Sequence, residues 1–390
     1  MSPRHRSVLP NFFRSFVAAL ALIVAGTSVC AQTPASTTSS LREARRLLSE
    51  HQAARAEAIV RPLLTRDPQN STALRVLAQA RLDQGDSNEA MTLLLRALAA
   101  SPNSREVNNA LGDLLLKQHH APEAMDRFET VLAQTPADPG ARRGELAAAT
   151  ELALTARNAQ HPEIALEVLR HARTKLPDDP QLLLELGIQA NELQLLPEAA
   201  EALTSAHKIS PHDLDIIYAL GRLELDQQHM AAAEADFRTY LAARPGDASA
   251  HFGLGHILAM DQRPDEARAE FERSIQLHPV QTESYYQIGQ IELDAQHDAQ
   301  AEPLFRKALE RDPTHGGALT GMGILSFRAK DYAKAEQYLA AAEKTAPDYG
   351  PAHYYRGLSL ARLGRKDEAD AELRKATDLG KAALGTPVRQ

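Results

Sequence analysis

The chain has no tryptophan, one cysteine in 390 residues and only 5% aromatic side chains. A lone cysteine, Cys30, excludes an internal disulfide framework and any multi-cysteine metal set. Few aromatics exclude a core of large rings and suit helices packed through alanine and leucine. Basic residues are outnumbered, 43 against 51, for a formal net charge of -8. That balance argues against nucleic acid, which needs a basic face. No strand-like alternation of polar and apolar residues stands out. The apolar stretch Phe16 to Val24 is too short to span a bilayer. His-Glu-x-x-His and Gly-x-Ser-x-Gly segments are absent, and the acids are spread along solvated faces rather than paired.

What the chain does have is a metre. Pro68, Pro102, Pro136, Pro177, Pro211, Pro245, Pro279, Pro313 and Pro347 stand 34 residues apart, except for one gap of 41. Twenty-two residues after most of them comes alanine: Ala90, Ala124, Ala199, Ala233, Ala267, Ala301, Ala335 and Ala369, with Ala56 and Ala165 at matching places. A small residue follows every proline but Pro136 by ten, Ala78 and then Gly112, Gly187, Gly221, Gly255, Gly289, Gly323 and Gly357; only the fourth copy is irregular there. Four residues after each alanine a large apolar side chain returns, such as Phe128, Leu203, Phe237, Phe271 and Phe305. A fixed period of this length marks a tandem array of one supersecondary unit.

The unit is a pair of antiparallel helices. Glycine inside a helix costs roughly 1 kcal/mol relative to alanine, so its recurrence needs a packing reason, and a close helix crossing supplies one. The spaced prolines end the second helix of each pair. Pro122, Pro162, Pro197 and Pro264 fall where the second helix should begin, and proline is favoured in a first turn. The small residue, the alanine, the aromatic or leucine and the terminal proline at these offsets together resemble the tetratricopeptide repeat. The resemblance implies an all-α fold, a right-handed superhelical solenoid of about ten helix-turn-helix units. Units starting three residues after each proline span 37–70, 71–104, 105–138, 139–179, 180–213, 214–247, 248–281, 282–315, 316–349 and 350–383. The fourth has seven extra residues before Ala165; seven is nearly two turns, with a phase drift of only ~20°, and the segment lacks a breaker, so a longer first helix is predicted there.

Residues 1–31 are expected to be an export signal: a basic start with Arg4, Arg6 and Arg14, then Phe16 to Val24, then Val29-Cys30-Ala31 before a cut ahead of Gln32. The expected location is periplasmic or secreted, with no membrane insertion once the leader is removed. Lipid attachment at Cys30 is the alternative, disfavoured by Val29 immediately before it. Residues 32–40, rich in Ser, Thr and Pro, are expected to be a tether ahead of a solenoid at 41–383, and 384–390 a tail.

No residue pattern assigns a catalytic, cofactor-binding or metal-binding role. Gly253-Leu254-Gly255 and Gly321-Met322-Gly323 are fragments of a phosphate-loop pattern, but they fall inside first helices. His120, His161, His229 and His297 recur at the inter-helix turn, too far apart from copy to copy for one metal to bridge. Recognition remains. The resemblance implies that the second, fifth, ninth, twelfth and thirteenth residues of each first helix line a concave groove; the fifth places Arg75, Asn109, Tyr218, Phe252, Tyr286 and Tyr354 there, and the ninth adds Arg222, His256 and Gln290 one turn further on. Aromatics with arginine are what binding hot spots are made of. The expectation is a non-catalytic adaptor that binds a protein or peptide partner in the groove. The alternative is a structural part of a cell-envelope assembly, such as polysaccharide-export or outer-membrane machinery, and an enzyme is the remote third.

Overall fold

A computed structural model describes residues 34–385, and among them every regular element is a helix. The first two helix pairs are α1 (Pro34–Ser49) with α2 (Ala53–Arg66) and α3 (Ser71–Asp83) with α4 (Ser87–Ala100). Then come α5 (Arg105–Lys117) with α6 (Ala121–Leu132), α7 (Pro139–Asn158) with α8 (Pro162–Arg173) and α9 (Pro180–Glu192) with α10 (Leu196–Ile209). They are followed by α11 (Leu214–Asp226) with α12 (Met230–Ala243), α13 (Ala248–Met260) with α14 (Pro264–Leu277) and α15 (Thr282–Asp294) with α16 (Asp298–Arg311). The last are α17 (Gly316–Arg328) with α18 (Tyr332–Thr345) and α19 (Gly350–Arg362) with α20 (Lys366–Gly385). Two compact units are distinguished, 1–107 and 108–390.

The start of each first helix follows from its flanking residues. Proline stops the preceding helix, and two residues later a short polar side chain caps the next: Asn70, Asp138, Asp179, Asp213 and Asp247 each accept a hydrogen bond from a backbone N–H of the first turn. That bond satisfies one of the donors a helix end leaves unpaired. In the fourth copy the seven extra residues are helical: α7 has 20 residues where α9 has 13. Ala148, Ala149 and Ala153 on it are fully buried, so the added turns continue the packed stripe.

The expected tether at 32–40 is corrected from Pro34 onward, where α1 already runs. Leu41, Ala44 and Leu47 form a buried stripe that anchors this helix, and the Ser39 and Ser40 hydroxyls donate to the Ser36 carbonyl, keeping its serine-rich first turns wound. The expected leader, 1–31, and residues 386–390 lie outside the described residues.

The core is the periodic set itself. Ala56, Ala90, Ala124, Ala165, Ala199, Ala233, Ala267, Ala301 and Ala335 have no solvent exposure. A Cβ built on Gly255 would lie 3.2 Å from the Ala267 carbonyl oxygen, and one on Gly357 would lie 3.1 Å from that of Ala369. Small residues on both helices therefore permit the crossing. The large residue one turn later fills the space at the same level: Gly221, Gly255 and Gly289 face Phe237, Phe271 and Phe305 respectively.

A second periodic feature sits at the turn inside each pair. One residue per turn has a positive φ: His51, Gly85, His119, Gln160, Gln194, Gln228, Gln262, Gln296, Lys330 and Gly364. The next residue closes a six-residue hydrogen-bonded loop, as His229 N–H does on the Glu224 carbonyl at 2.8 Å and Arg263 N–H on that of Leu258 at 2.9 Å. This is the helix C-cap in which glycine is the usual occupant, because a Cβ is strained there. Only Gly85 and Gly364 meet that preference. Gln228→Gly, at φ 61°, should therefore stabilise the protein by about 0.5–1 kcal/mol, read as a higher denaturant midpoint. A lower midpoint would show that the glutamine side chain contributes more than its strain costs.

Candidate interaction face

The first helices of neighbouring copies touch one another, α9 with α11, α15 with α17 and α17 with α19. Their shared face carries the candidate residues. Within 108–390, Tyr218 is half-buried, its ring 5.6 Å from Phe237 and 4.9 Å from Tyr240. Phe252 lies 5.6 Å from Phe271 and stacks at 6.3 Å on His256. Tyr286 lies 6.2 Å from Phe305 and 4.7 Å from His315, and a Cβ on Gly317 would come within 2.6 Å of its ring. Burial pushes its phenol well above the ordinary range, reinforced by the Tyr349 hydroxyl. Only Tyr354 is largely free, 48% exposed beside Tyr355. The aromatic ladder is thus shared with packing, the rings of Tyr218, Phe252 and Tyr286 each lying on the phenylalanine of their own copy.

The polar candidates divide in the same way. Gln290 donates to Asp294 at 2.9 Å, and Asn109 to the capping carboxylate of Asp138 at 2.9 Å, so the latter serves a helix start. Arg75, in the 1–107 unit, is half-buried, and burial holds its guanidinium below the ordinary value. Arg222 is exposed and makes no ion pair among the described residues.

Beside Arg222 the face opens into a cleft of about 140 Å³ between α9 and α11, whose lining includes Ile188, Asn191, Glu192, Tyr218, Arg222 and Asp215, the last paired with Arg244 at 2.6 Å. Asn191 is 6% exposed; its amide donates to Asp226 at 2.6 Å while its carbonyl oxygen Oδ1 has no hydrogen-bond partner. A buried amide oxygen left unpaired costs free energy, and a ligand N–H would relieve that. The cleft therefore offers an acceptor, a guanidinium and the face of a tyrosine. The sequence reading names Tyr218 and Arg222 but neither Ile188 nor Asn191, although these are the ninth and twelfth residues of the copy 180–213, both positions that its groove rule covers.

The glycine pairs are packing seats. A Cβ on Gly253 would lie 2.8 Å from Phe237 of the preceding copy, and one on Gly255 would lie 2.9 Å from Phe271 of its own. Gly321 and Gly323 are pressed likewise by Phe305 and Leu339. His120, His161, His229 and His297 sit at the starts of the second helices, without a side-chain cap bond.

Two buried ionisable groups fall outside the sequence reading. Glu145 on α7 has no solvent exposure, and neither carboxyl oxygen has a hydrogen-bond partner. Burial first, and then the charges of Glu129 and Asp126 against the opposing Lys175, push its carboxyl up to about 8. His353, on α19, sits between two glutamates near the C-terminal end of the array.

Family models described as tetratricopeptide repeat match residues 47–114, 81–146 and 293–363 in one case, and 150–213 and 218–281 in another. The chain belongs to the tetratricopeptide repeat family. None of the curated proteins matches it. Among solved structures, YrrB, a repeat protein with an unusual peptide-binding site, is similar at 21% identity over 48% of this chain and 97% of its own, with a TM-score of 0.40. PilF of Pseudomonas aeruginosa is similar at 20% identity over 53% of this chain and 93% of its own, with a TM-score of 0.46. A chain of the Cut9–Hcn1 complex of APC/C is similar at 13% over 87% and 86%, with a TM-score of 0.45. No helix among the described residues of this repeat protein is long and apolar enough to cross a membrane.

Proposed function

We propose that this repeat protein is an exported, non-catalytic adaptor that holds an extended segment of a partner protein against its first-helix face, anchored at the cleft between α9 and α11. The observation that carries this reading is the cleft itself, where the exposed guanidinium of Arg222 stands beside the unpaired Oδ1 of Asn191 and the ring of Tyr218. An acidic or C-terminal carboxylate suits the guanidinium, a backbone N–H suits the amide oxygen, and an apolar side chain suits the ring and Ile188. Preformed helices keep the ordering cost on the repeat side small.

Arg222 is the clean probe, because it is exposed and makes no ion pair, whereas Tyr218 also packs on Phe237. Peptides selected on the purified protein from a random display library should share an acidic or C-terminal carboxylate. Arg222→Ala should weaken their binding about tenfold or more, in keeping with the loss of one charge-assisted contact, at unchanged melting temperature. A photo-crosslinking residue at position 192, which lines the cleft beside Arg222, should capture the same partner from native envelopes far better than one at 273 on α14. Equal capture from both positions, or peptides that bind Arg222→Ala as tightly, would sink the reading. Export rests on the first 31 residues and has its own test. A mature N-terminus at Gln32 supports export with soluble release, a diacylated Cys30 overturns the soluble release, and a retained Met1 overturns export.

A further inference from the structure

Three donors from three consecutive helices meet at the C-terminal end of the array: Glu343 of α18, His353 of α19 and Glu372 of α20. Their ligating atoms lie within 4.8 Å of one another. His353 is 1% exposed, and its Nδ1 lies 2.6 Å from Glu372 Oε2 and 3.1 Å from Glu343 Oε1. Its other nitrogen, Nε2, lies 2.8 Å from the Pro347 carbonyl. The remaining carboxylate oxygens are held from behind. Arg356 donates to Glu343 Oε2 at 2.5 Å, to Glu372 Oε1 at 2.9 Å and to Glu336 at 3.2 Å.

The seventh copy supplies an internal comparison. His251, 102 residues earlier, repeats half of this arrangement, with Nδ1 2.6 Å from Glu270 and Nε2 3.2 Å from the Pro245 carbonyl. There the place of Glu343 is taken by Leu241, which is buried. One histidine, one glutamate and one proline carbonyl thus suffice to clasp a helix pair. The second carboxylate, Glu343 from the ninth copy, adds nothing to that clasp, because one N–H cannot serve two carboxylates, and Glu343 Oε1 is buried with no hydrogen-bond partner. An unsatisfied buried carboxylate oxygen is costly unless a cation completes it.

We propose that Glu343, His353 and Glu372 form a binding site for a divalent transition-metal ion that ties the last three helices together. An Nδ1 ligand whose Nε2–H donates to a backbone carbonyl is the usual orientation of a metal-bound histidine, and the arginine behind both carboxylates fixes their free oxygens as outer-shell groups do. One imidazole with two carboxylates suits zinc, manganese or iron rather than a thiolate-seeking ion. Bonds of ~2.1 Å require the donors to stand about 3.4 Å apart, so the observed 2.6 and 3.1 Å need only open slightly. Glu372 keeps partial exposure, which gives an entry path and leaves a fourth position for water or a partner group. This inference is independent of the cleft beside Arg222.

The test uses the whole purified protein, stripped with chelator and then titrated with Zn²⁺, or with Co²⁺ for its visible absorption. Wild type should bind one equivalent, raise its melting temperature and show the band of nitrogen- and oxygen-bound cobalt. His353→Asn and Glu343→Gln should each weaken binding by more than the roughly 10- to 100-fold that loss of an outer-shell partner costs. His251→Asn should leave it unchanged. Glu343→Gln keeps the α19–α20 clasp, so it remains informative if His353→Asn does not fold. No stoichiometric binding by wild type, or binding that survives Glu343→Gln, would overturn the assignment.

Discussion

Replacing Glu145 with glutamine should stabilise the protein by about 3 kcal/mol at pH 7 and by almost nothing at pH 4, read as the shift in urea midpoint multiplied by the m-value. The sign follows from the direction of the shift. The carboxyl is raised from its ordinary 4.5 to about 8 in the folded protein, so between those values the native state keeps a proton that the unfolded chain has released. Stability then falls as pH rises, by about 1.4 kcal/mol per unit, and levels off above the folded value. Below 4.5 both states are protonated and the contribution is fully present. Glutamine has nearly the same shape and no charge, so it removes the slope without opening a cavity.

The surroundings explain why the glutamate is not neutralised by a partner. Glu129 is closest in influence, but its own carboxylate is taken by His171 at 2.5 Å and Lys175 at 3.2 Å, so the one nearby ammonium is engaged elsewhere. Lys175→Met should therefore push the Glu145 carboxyl higher and steepen the fall in stability. Parallel pH curves for wild type and Glu145→Gln would show that the carboxyl titrates normally, through water reaching α7.

How much of this is legible from sequence depends on whether a residue's role repeats. The prolines, the buried alanines and the Gly–Phe contacts recur at fixed offsets because every copy needs the same crossing, and ten instances expose a constraint that one would hide. The positive-φ turn is equally periodic, yet glutamine tolerates it well enough to conceal the rule, and only Gly85 and Gly364 betray it. The aromatic ladder is legible as positions but not as exposure, because a ring at the fifth place packs on its own copy's phenylalanine before any ligand reaches it. Asn191, Glu145 and the complete Glu343–His353–Glu372 set occur once each among the described residues. Each draws at least one neighbour from another copy, Glu343 being the member that completes the last cluster, so the spacing within one copy, such as the 19 residues that His353–Glu372 shares with His251–Glu270, does not announce them.

A large effect from a single methyl group is expected at Gly321. Alanine inside a helix is normally worth roughly 1 kcal/mol over glycine, and Gly380, with nothing within 4 Å of its Cβ position, should show that gain. Gly321→Ala should do the opposite and destabilise by about 1–3 kcal/mol, because the new Cβ would sit 2.5 Å from the Phe305 ring. That ring is fully buried and also pressed on Gly289, so it has nowhere to turn. The chain contains partial controls: Phe128, Phe237 and Phe305 are each followed in the next copy by a glycine at this place, Gly144, Gly253 and Gly321, whereas Leu203 is followed by Ala219 and Phe271 by Gln287. Phe305→Leu in the Gly321→Ala background should accordingly recover much of the loss, with a coupling of about 0.5–3 kcal/mol in the double-mutant cycle. Phe305→Ala alone should cost about 3–5 kcal/mol, since it empties both glycine seats at once. In an array whose stability is a sum over neighbours, weakening this one interface should also split unfolding into two transitions, with α17 to α20 melting first. A single transition in Gly321→Ala, or a gain in stability equal to that of Gly380→Ala, would show that the copies adjust their spacing freely, and that glycine there is not required by the packing of Phe305.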